Sequence, residues 1–301
     1  MKKSGISHWL LLFVLVLIWG SSFILMKRGL DSYASSQVAA IRIMLTSLVL
    51  MPVAFMRMKR ITLKEFGLIT LTGITGNGIP AFLFTYAQTG IDSSTAGILN
   101  SLTPLSTMVL GLIFFKYKMK WYNAAGVFIG LAGTAGLLSM SGGKDFIFNF
   151  HYGIFILLAT ILYALNLNII KRYLKNTDSL TIASFAFFAI GPFAAMYLFG
   201  FTPFIPVLIS GSAALVSFGY IAILAIVGTA LATVLYNMMI KRTNVVFAAS
   251  VTYLMPVVSL MWGIGDGEVF EVVYLVWIFL ILFGVYLVNK KHENLKKNSK
   301  N

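Results

Sequence analysis

Long runs of apolar residues alternate with short polar segments along almost the whole chain. Each run has about 20 residues, the length that an α-helix needs to cross roughly 30 Å of hydrocarbon. The pattern therefore predicts an all-α membrane protein with ten transmembrane helices. The predicted spans are His8–Met26, Gln37–Met56, Phe66–Tyr86, Thr95–Phe115, Trp121–Met140, Tyr152–Ile170, Thr181–Phe201, Leu215–Tyr236, Val246–Ile264 and Val272–Asn289.

Composition agrees with this pattern. Of the 301 residues, 59% are hydrophobic and only 11% are charged, and the mean hydropathy is +0.90. So few polar residues cannot cover a soluble globule of this size, so the lipid bilayer is the expected surrounding. The chain has no cysteine, which excludes disulfides, thiolate metal sites and cysteine nucleophiles.

The positive charges lie mainly at one side of the predicted membrane. If both termini are cytoplasmic, nineteen of the 23 Lys and Arg residues face the cytoplasm, three (Lys27, Arg28 and Lys144) face outside, and Arg42 lies within a span. This is the positive-inside pattern, so the net charge of +14 indicates topology and attraction to anionic headgroups rather than nucleic-acid binding. Cleaving the first span as a signal peptide would place the termini on opposite sides, against these loop charges.

The second half of the chain repeats features of the first in the same order. The end of span 1 matches the end of span 6, span 3 matches span 8, and Pro104 matches Pro256. Five spans per copy is an odd number, so the second copy lies inverted in the membrane, which is a transporter architecture. The predicted units are the first repeat (1–140), an external linker (141–150), the second repeat (151–290) and a basic cytoplasmic tail (291–301).

Several short motifs accompany this 5+5 pattern. They are an early "WGSSF", a basic pair after span 1, the block "TGIDSSTAGILNSLTPLSTMVLG" and its echo "GTALATVLYNMMIKRTNVVFAASVTYLMPVVSLMWG". Together, over all ten spans, they resemble the EamA-type members of the drug/metabolite transporter superfamily. The resemblance implies a plasma-membrane carrier, in bacteria the inner membrane, often an exporter of amino acids or other small metabolites. Gly267-Glu268 matches the family's Gly-Glu after span 9, whereas the first copy has Phe115-Lys116 there.

Prolines inside spans 4 and 9 mark the first candidate site. Pro104 cannot donate a backbone hydrogen bond and displaces the carbonyl of Asn100, and Pro256 does the same to Thr252. Opened backbone is tolerated at membrane depth only against protein or a watery cavity. We therefore expect both spans to break near the midplane and to expose Asn100, Thr103, Thr252 and Tyr253 to a central cavity. A packing kink without a ligand is the alternative.

Spans 1, 3, 6 and 8 supply further candidates. Glycines and a proline in spans 3 and 8 permit an unwound turn or close helix contact, and amides and aromatic rings occupy matched positions of spans 1 and 6. The expected hinge or gate residues are Gly78, Pro80, Pro104, Gly228 and Pro256. The further substrate-binding candidates are Trp19, Ser22, Asn77, Tyr86, Tyr163, Asn166 and Tyr236.

Arg42 is the one clear charge within a predicted span, about two turns from the outer loop. A charge at that depth is costly unless it meets water, a carboxylate or a carbonyl. One interpretation is a clamp for a substrate carboxylate. In the other, the long side chain reaches the outer interface and pairs with Asp31 or Asp92.

No Asp or Glu lies in the middle of a predicted span. This disfavours exchange of protons for lipophilic cations through an intramembrane carboxylate, and a neutral or zwitterionic substrate suits the Asn, Ser, Thr, Tyr and Trp residues better. No catalytic motif, metal site or cofactor site is recognisable, so we expect no enzyme and no obligatory protein partner. A nucleotide-sugar or drug exchanger, a channel and a structural membrane protein stay as alternatives, and proton coupling is open.

Overall fold

The structure is a computed structural model that describes residues 8–58, 61–115, 121–140, 146–243, 248 and 251–289. These residues form helices and contain no strand. In chain order the helices are α1 (His8–Leu30), α2 (Ser35–Arg57), α3 (Leu63–Ala87), α4 (Ser93–Asn100), α5 (Thr103–Phe115), α6 (Trp121–Met140), α7 (Phe146–Tyr173), α8 (Ser179–Phe201), α9 (Phe204–Leu208), α10 (Ser212–Arg242), α11 (Val251–Gly265) and α12 (Tyr274–Asn289).

Six of these helices, α1, α2, α3, α7, α8 and α10, are long and apolar enough to cross a membrane. Shorter apolar stretches lie in α6, α11 and α12. The predicted fourth span consists of two helices, α4 and α5, and α7 begins at Phe146, inside the stretch predicted as a linker. The chain is thus a helical membrane protein, and the number of ten spans stays a prediction.

Helix packing pairs the two halves of the chain. Helix α2 packs against α8, α6 against α12, and α4 against α11. Helix α1 packs against α10 and α11, while α7 packs against α3, α4 and α5. The centre of the bundle is therefore surrounded by helices from both halves of the chain.

The predicted break in span 4 is present. Helix α4 ends at Asn100, and α5 begins at Thr103, so that Pro104 lies in the first turn of a new helix, where no backbone donor is needed. The carbonyl of Asn100 accepts a hydrogen bond from the Thr103 hydroxyl at 2.8 Å. A side chain thus replaces the lost backbone partner in the bundle interior.

The predicted break in span 9 is wrong within the described residues, because α11 continues through Pro256. A proline removes a single backbone bond, and the bonds on either side can hold the helix together. The position that matches Thr103 is Met255. Its thioether cannot donate a hydrogen bond to a freed carbonyl, so this copy lacks the side-chain cap that separates α4 from α5.

Helices α3 and α10 each contain a π-helical turn, at Ile74–Gly78 and Ile226–Leu231. In α3, the N–H of Ile79 donates to the carbonyl of Ile74, five residues back. This wider turn precedes Pro80, whose ring would collide with the carbonyl four residues back in a regular helix. In α10, the hydroxyl of Thr229 donates to the carbonyl of Leu224 at 2.9 Å.

Helices α6 and α12 touch through their glycines. A Cβ atom added to Gly284 would lie 2.5 Å from the backbone nitrogen of Gly130 and 2.6 Å from the carbonyl oxygen of Gly126. Small residues allow two helix backbones to approach this closely. In a bilayer the hydrophobic effect does not drive helices together, so such van der Waals contact is an important contribution to their association.

A charged group of residues, which we name the Glu268 cluster, joins the ends of α1, α4 and α11. Its members are Lys27, Arg28, Ser93, Ser94, Asp266 and Glu268. Lys27 Nζ lies 2.8 Å from a carboxylate oxygen of both Asp266 and Glu268, and Arg28 pairs with Asp266. The Glu268 side chain is only 3% exposed.

The position of Glu268 results from the end of α11. Gly267 has φ +82°, and the N–H groups of Gly267 and Glu268 donate to the carbonyls of Ile264 and Gly263, which is a Schellman motif. The carboxylate then accepts hydrogen bonds from the backbone and hydroxyl groups of Ser93 and Ser94, at 2.6–3.1 Å. A carboxylate from one helix end thereby caps the N-terminus of another.

We expect Gly284→Ala to lower the stability of the protein in detergent, because the new methyl group meets backbone atoms of α6 that cannot rotate away. Overpacking of this kind costs about 1–3 kcal/mol. The control is Gly219→Ala in α10, where nothing lies within 4 Å of the added Cβ. Equal thermal unfolding of the two variants would show that α6 and α12 are not in backbone contact.

We also expect acid to weaken the protein through Glu268. Burial raises the pKa of this carboxyl, but hydrogen bonds from Lys27, Ser93 and Ser94 outweigh it and lower the pKa to about 2 from its ordinary 4.5. The stabilisation is complete above pH 4.5 and is lost between that value and about pH 2. Thermal unfolding of wild type and Glu268→Gln should differ at pH 6, and the difference should shrink across this interval. A pH-independent difference would contradict the assignment.

Candidate functional site

A cavity lies at the centre of the helix bundle. Its volume is about 100 Å³, counted as the space that the centre of a water molecule can occupy. A single water molecule needs roughly 10–15 Å³ when the volume is counted in this way. It is lined by Trp19, Ser22, Phe23, Met26, Arg42, Gly76, Asn77, Phe84, Asn100, Thr103, Tyr163, Asn166, Leu167, Thr233, Tyr236, Asn237, Thr252 and Met255. Both halves of the chain contribute to this lining.

The structure brings ten of the twelve substrate-binding candidates to this one cavity. The side chain of Tyr253 lies outside the described residues. Tyr86 is not at the cavity: its ring is 38% exposed and packs against His151 and Phe155 of α7. Its match in the second half, Tyr236, does line the cavity. The matched helix ends therefore contact different neighbours, and a contact of Tyr86 with the substrate stays a prediction.

Arg42 is the only charged residue among the described residues that line the cavity. Its Nε donates to the Thr229 hydroxyl at 2.7 Å, within the π-helical turn of α10. Asp31, one of the two partners considered from the sequence, pairs with Arg28 instead. This bond to Thr229 leaves the other four N–H donors of the guanidinium for ligands or water in the cavity, because arginine carries five in all.

Aromatic rings form two sides of the cavity. The indole N–H of Trp19 donates to the carbonyl of Gly228 at 3.0 Å, and its ring meets Tyr236 edge-on, with centroids 4.7 Å apart. On the other side Phe84 stacks on Tyr163 at 5.9 Å. These contacts fix the rings, and their faces and edges present both apolar surface and partial charge to a ligand.

Side-chain amides form the polar part of the lining. Asn100 donates weakly to the sulfur of Met255 at 3.8 Å, and Asn77 lies 3.5 Å from the Thr233 hydroxyl. Asn166 lies against Gly76, where an added Cβ would come within 2.4 Å of its amide. Asn168, two residues further along α7, does not line the cavity and donates to the carbonyl of Ala164 at 2.8 Å.

Four of the five expected hinge residues lie at or next to points where helices deviate from α geometry, and Pro256 does not. Gly78 ends the π-helical turn of α3, and Pro80 follows it. Gly228 lies in the π-helical turn of α10 and faces Ser22, whose oxygen would be 2.8 Å from an added Cβ. Pro104 follows the break between α4 and α5. Deviations of this kind commonly occur at functional sites.

Sequence reasoning missed two polar lining residues, Thr233 and Asn237. They follow Thr229 at intervals of four residues, so all three lie on one face of α10. This spacing was readable once Thr229 was known to face the interior. The apolar lining residues Met26, Phe84, Leu167 and Met255 carried no signal, because similar residues occur on every helix.

Several known proteins are similar to this chain. A probable terminal-alkyne amino-acid exporter of Streptantibioticus cattleyicolor is 24% identical over 92% of this chain and 91% of that protein. The uncharacterized inner membrane transporter YedA of Escherichia coli K12 is 27% identical over 92% and 89%. The biotin transporter of Escherichia coli K12 is 26% identical over 61% and 60%.

The fold is also shared with a solved crystal structure, which has a TM-score of 0.65 at 16% identity and covers 94% of this chain and 96% of that one. The sequence model described as the EamA-like transporter family matches twice, at residues 7–139 and 152–290. Since these matches cover most of the chain, the protein belongs to the EamA-like transporter family.

Proposed function

We propose that the protein is a secondary transporter that exports small metabolites, most of all amino acids or related zwitterions. Its substrate binds in the central cavity between two inverted repeats, and access alternates between the two membrane faces. The observation that carries the proposal is the single guanidinium of Arg42, which lines a cavity built from both halves of a transporter-family chain.

The contacts between helices support the inverted repeat. The proposed repeat pairs the helices in chain order: α1 with α7, α2 with α8, α3 with α10, α4 and α5 together with α11, and α6 with α12. When each helix is replaced by its counterpart, the main contacts between helices are converted into one another. The contact of α1 with α10 becomes that of α7 with α3, and α2–α8 and α6–α12 become themselves. The two π-helical turns also correspond, and the family model matches each half separately.

The relatives agree in one chemical feature. One is named for an amino acid and another for biotin, and both compounds carry a carboxylate. A buried guanidinium recognises a carboxylate through paired, charge-assisted hydrogen bonds. Arg42 is therefore the group that binds this carboxylate, and Thr229 orients it through the bond to Nε. Export is the direction of the relative named as an exporter.

The alternatives fit this cavity less well. A nucleotide-sugar exchanger has to bind a diphosphate, which carries more than one negative charge. Among the described residues that line the cavity, Arg42 is the one cation available to balance that charge. A lipophilic cation has no carboxylate to meet among the lining residues. A channel would need a continuous path, and it would show no trans-stimulation.

The irregular parts of the helices suggest how access alternates. The π-helical turns of α3 and α10 and the break between α4 and α5 lie beside the cavity. Their reduced or shifted backbone hydrogen bonding allows the two ends of each helix to move separately. We assign the hinge role to these segments, with Gly78, Pro80, Pro104 and Gly228 within or next to them. Pro256 lies within a continuous helix, so it is not among these segments.

Counterflow in proteoliposomes tests the function. Vesicles loaded with pooled unlabelled amino acids should take up labelled ones saturably, and Arg42→Ala should lower this uptake roughly 10- to 100-fold, the value of a charge-assisted hydrogen bond. Arg42→Lys should recover only part, because an ammonium lacks the planar pair of donors.

The control is Arg242→Ala at the exposed end of α10, which should transport normally. Normal uptake by Arg42→Ala would refute the carboxylate assignment. Absence of counterflow in the wild type would remove amino acids as substrates.

A further inference from the structure

Helix α4 is a short segment that is held at its two ends by different contacts. It has eight residues, from Ser93 to Asn100. Asn100 lines the cavity, and the helix breaks there before α5 begins. At the other end, the Glu268 carboxylate accepts hydrogen bonds from the N–H and hydroxyl groups of Ser93 and Ser94. A short helix with a break at one end moves as a unit when the contacts at its other end are released.

Between these two ends, α4 packs closely against α11. At the cavity, Asn100 donates to the sulfur of Met255 at 3.8 Å. One turn further out, a Cβ atom added to Gly97 would lie 2.7 Å from the Cβ atom of Ser259, which is 1% exposed. Met255, Ser259 and Gly263 follow one another at intervals of four residues, so they lie on one face of α11. The two helices leave no room for a substrate to pass between them.

Helix α1 completes this closure on a third side. A Cβ atom added to Gly20 would lie 2.5 Å from the Cβ atom of Val258 in α11. The ring of Phe23 lies 3.4 Å from the Cβ that would be added to Gly97 in α4. Lys27 then reaches the buried carboxylate at the end of the contact. From Gly20 to Lys27 the three helices stay together over roughly 10 Å along the axis of α1.

The Glu268 carboxylate is the group that the ends of these three helices share. Its side chain is 3% exposed, although it follows the end of α11. Among the described residues, every hydrogen bond to this carboxylate comes from α1 or α4. A buried carboxylate is costly without donors. Separating α4 from α1 and α11 therefore requires that these hydrogen bonds break together.

The matching contacts at the other end of the bundle are different. Lys171 at the end of α7 matches Lys27, but it donates to two backbone carbonyls at the end of α10, at 3.0 and 2.8 Å. The pair that matches Gly267-Glu268 is Phe115-Lys116, and Lys116 lies outside the described residues. A lysine at this position cannot replace the carboxylate of Glu268. The sequence thus encodes the carboxylate contact in one copy of the repeat and not in the other.

We infer that the Glu268 cluster is a latch that holds α4 against α1 and α11 and so closes the predicted outer end of the transport path. The inference rests on the proposed alternating access and specifies which contacts break when this end opens. Helix α4 then tilts about the break that follows Asn100. Removing the charge of the carboxylate, or displacing the carboxylate, increases the fraction of molecules in which this end is open.

Cysteine labelling tests the latch, and the chain has no cysteine of its own. Met26→Cys places a thiol at the cavity, at a position that is 2% exposed. A membrane-impermeant maleimide added outside right-side-out vesicles should label this thiol roughly tenfold faster when Glu268→Gln is also present. The control is Glu271→Gln, which removes the same charge from an exposed residue of the same loop and should leave the rate unchanged.

Gly263→Ala tests the same contact without changing any charge. The added methyl group would overlap Oε2 of Glu268 and lie 3.1 Å from the Cβ atom of Ser94. The carboxylate is the mobile end of its side chain, so it moves away from α4 while α11 keeps its backbone. Labelling of Met26→Cys should therefore accelerate here too. The matched control is Gly265→Ala, where nothing lies within 4 Å of the added Cβ.

The outcomes separate a latch from a cap that only stabilises the fold. Unchanged labelling in a Glu268→Gln protein that elutes as a folded species would overturn the latch. If Glu268→Gln does not fold, unchanged labelling in Gly263→Ala overturns it instead. Equal acceleration by Glu271→Gln or Gly265→Ala would also overturn it, and so would acceleration that occurs only from the inner side.

The labelling uses no substrate, so its result is independent of the counterflow measurement. Accelerated labelling in a protein that shows no amino-acid counterflow would remove amino acids as substrates and keep the latch. Counterflow by a wild type whose labelling does not respond to either substitution would keep the transport function and overturn the latch.

Discussion

The requirement that backbone polar groups be satisfied inside a bilayer governs the arrangement of this protein. Each unpaired N–H or carbonyl in hydrocarbon costs several kcal/mol, so irregular backbone is tolerated only where protein or a cavity can supply partners. The break between α4 and α5 and the π-helical turns of α3 and α10 are the irregular points of the long helices, and all lie beside the central cavity. The Thr103 hydroxyl, which satisfies a backbone carbonyl, also lines the cavity, and the Thr229 hydroxyl accepts the hydrogen bond of Arg42.

Three prolines illustrate how the local sequence decides the result. Before Pro80 the helix widens to a π turn, and before Pro104 it ends and begins again. At Pro256 the helix simply continues. The difference lies in the neighbours: glycines permit the wide turn and the Thr103 hydroxyl caps a freed carbonyl, while Met255 offers neither. A proline alone therefore does not predict a broken membrane helix.

The sequence predicted the helical membrane fold and much of the cavity, because both depend on local patterns. Arg42 was recognisable as a charge in an apolar run, and Asn100 as a polar residue before a proline. Tyr86 lies away from the cavity that its match Tyr236 lines, because internal repetition conserves helix positions but not the neighbours of each side chain. Asn237 was missed for a different reason: an amide near a helix end looks like an interface residue until the opposing helices are placed around it. Contacts between distant helices decide such cases, and periodicity does not contain them.

The basic residues that set the orientation of the chain also limit where an acidic cluster such as that of Glu268 can form. A carrier made of two inverted copies has equivalent helix ends on opposite faces of the membrane, so a carboxylate useful at one end has a matching position at the other. The positive-inside rule requires basic residues in the inner loops, and the residue that matches Glu268 is accordingly Lys116. An acidic latch can thus form at the outer end alone. On the proposed alternating-access mechanism, the two closed states would then differ in stability, and the charges that orient the chain would also set which end closes more tightly.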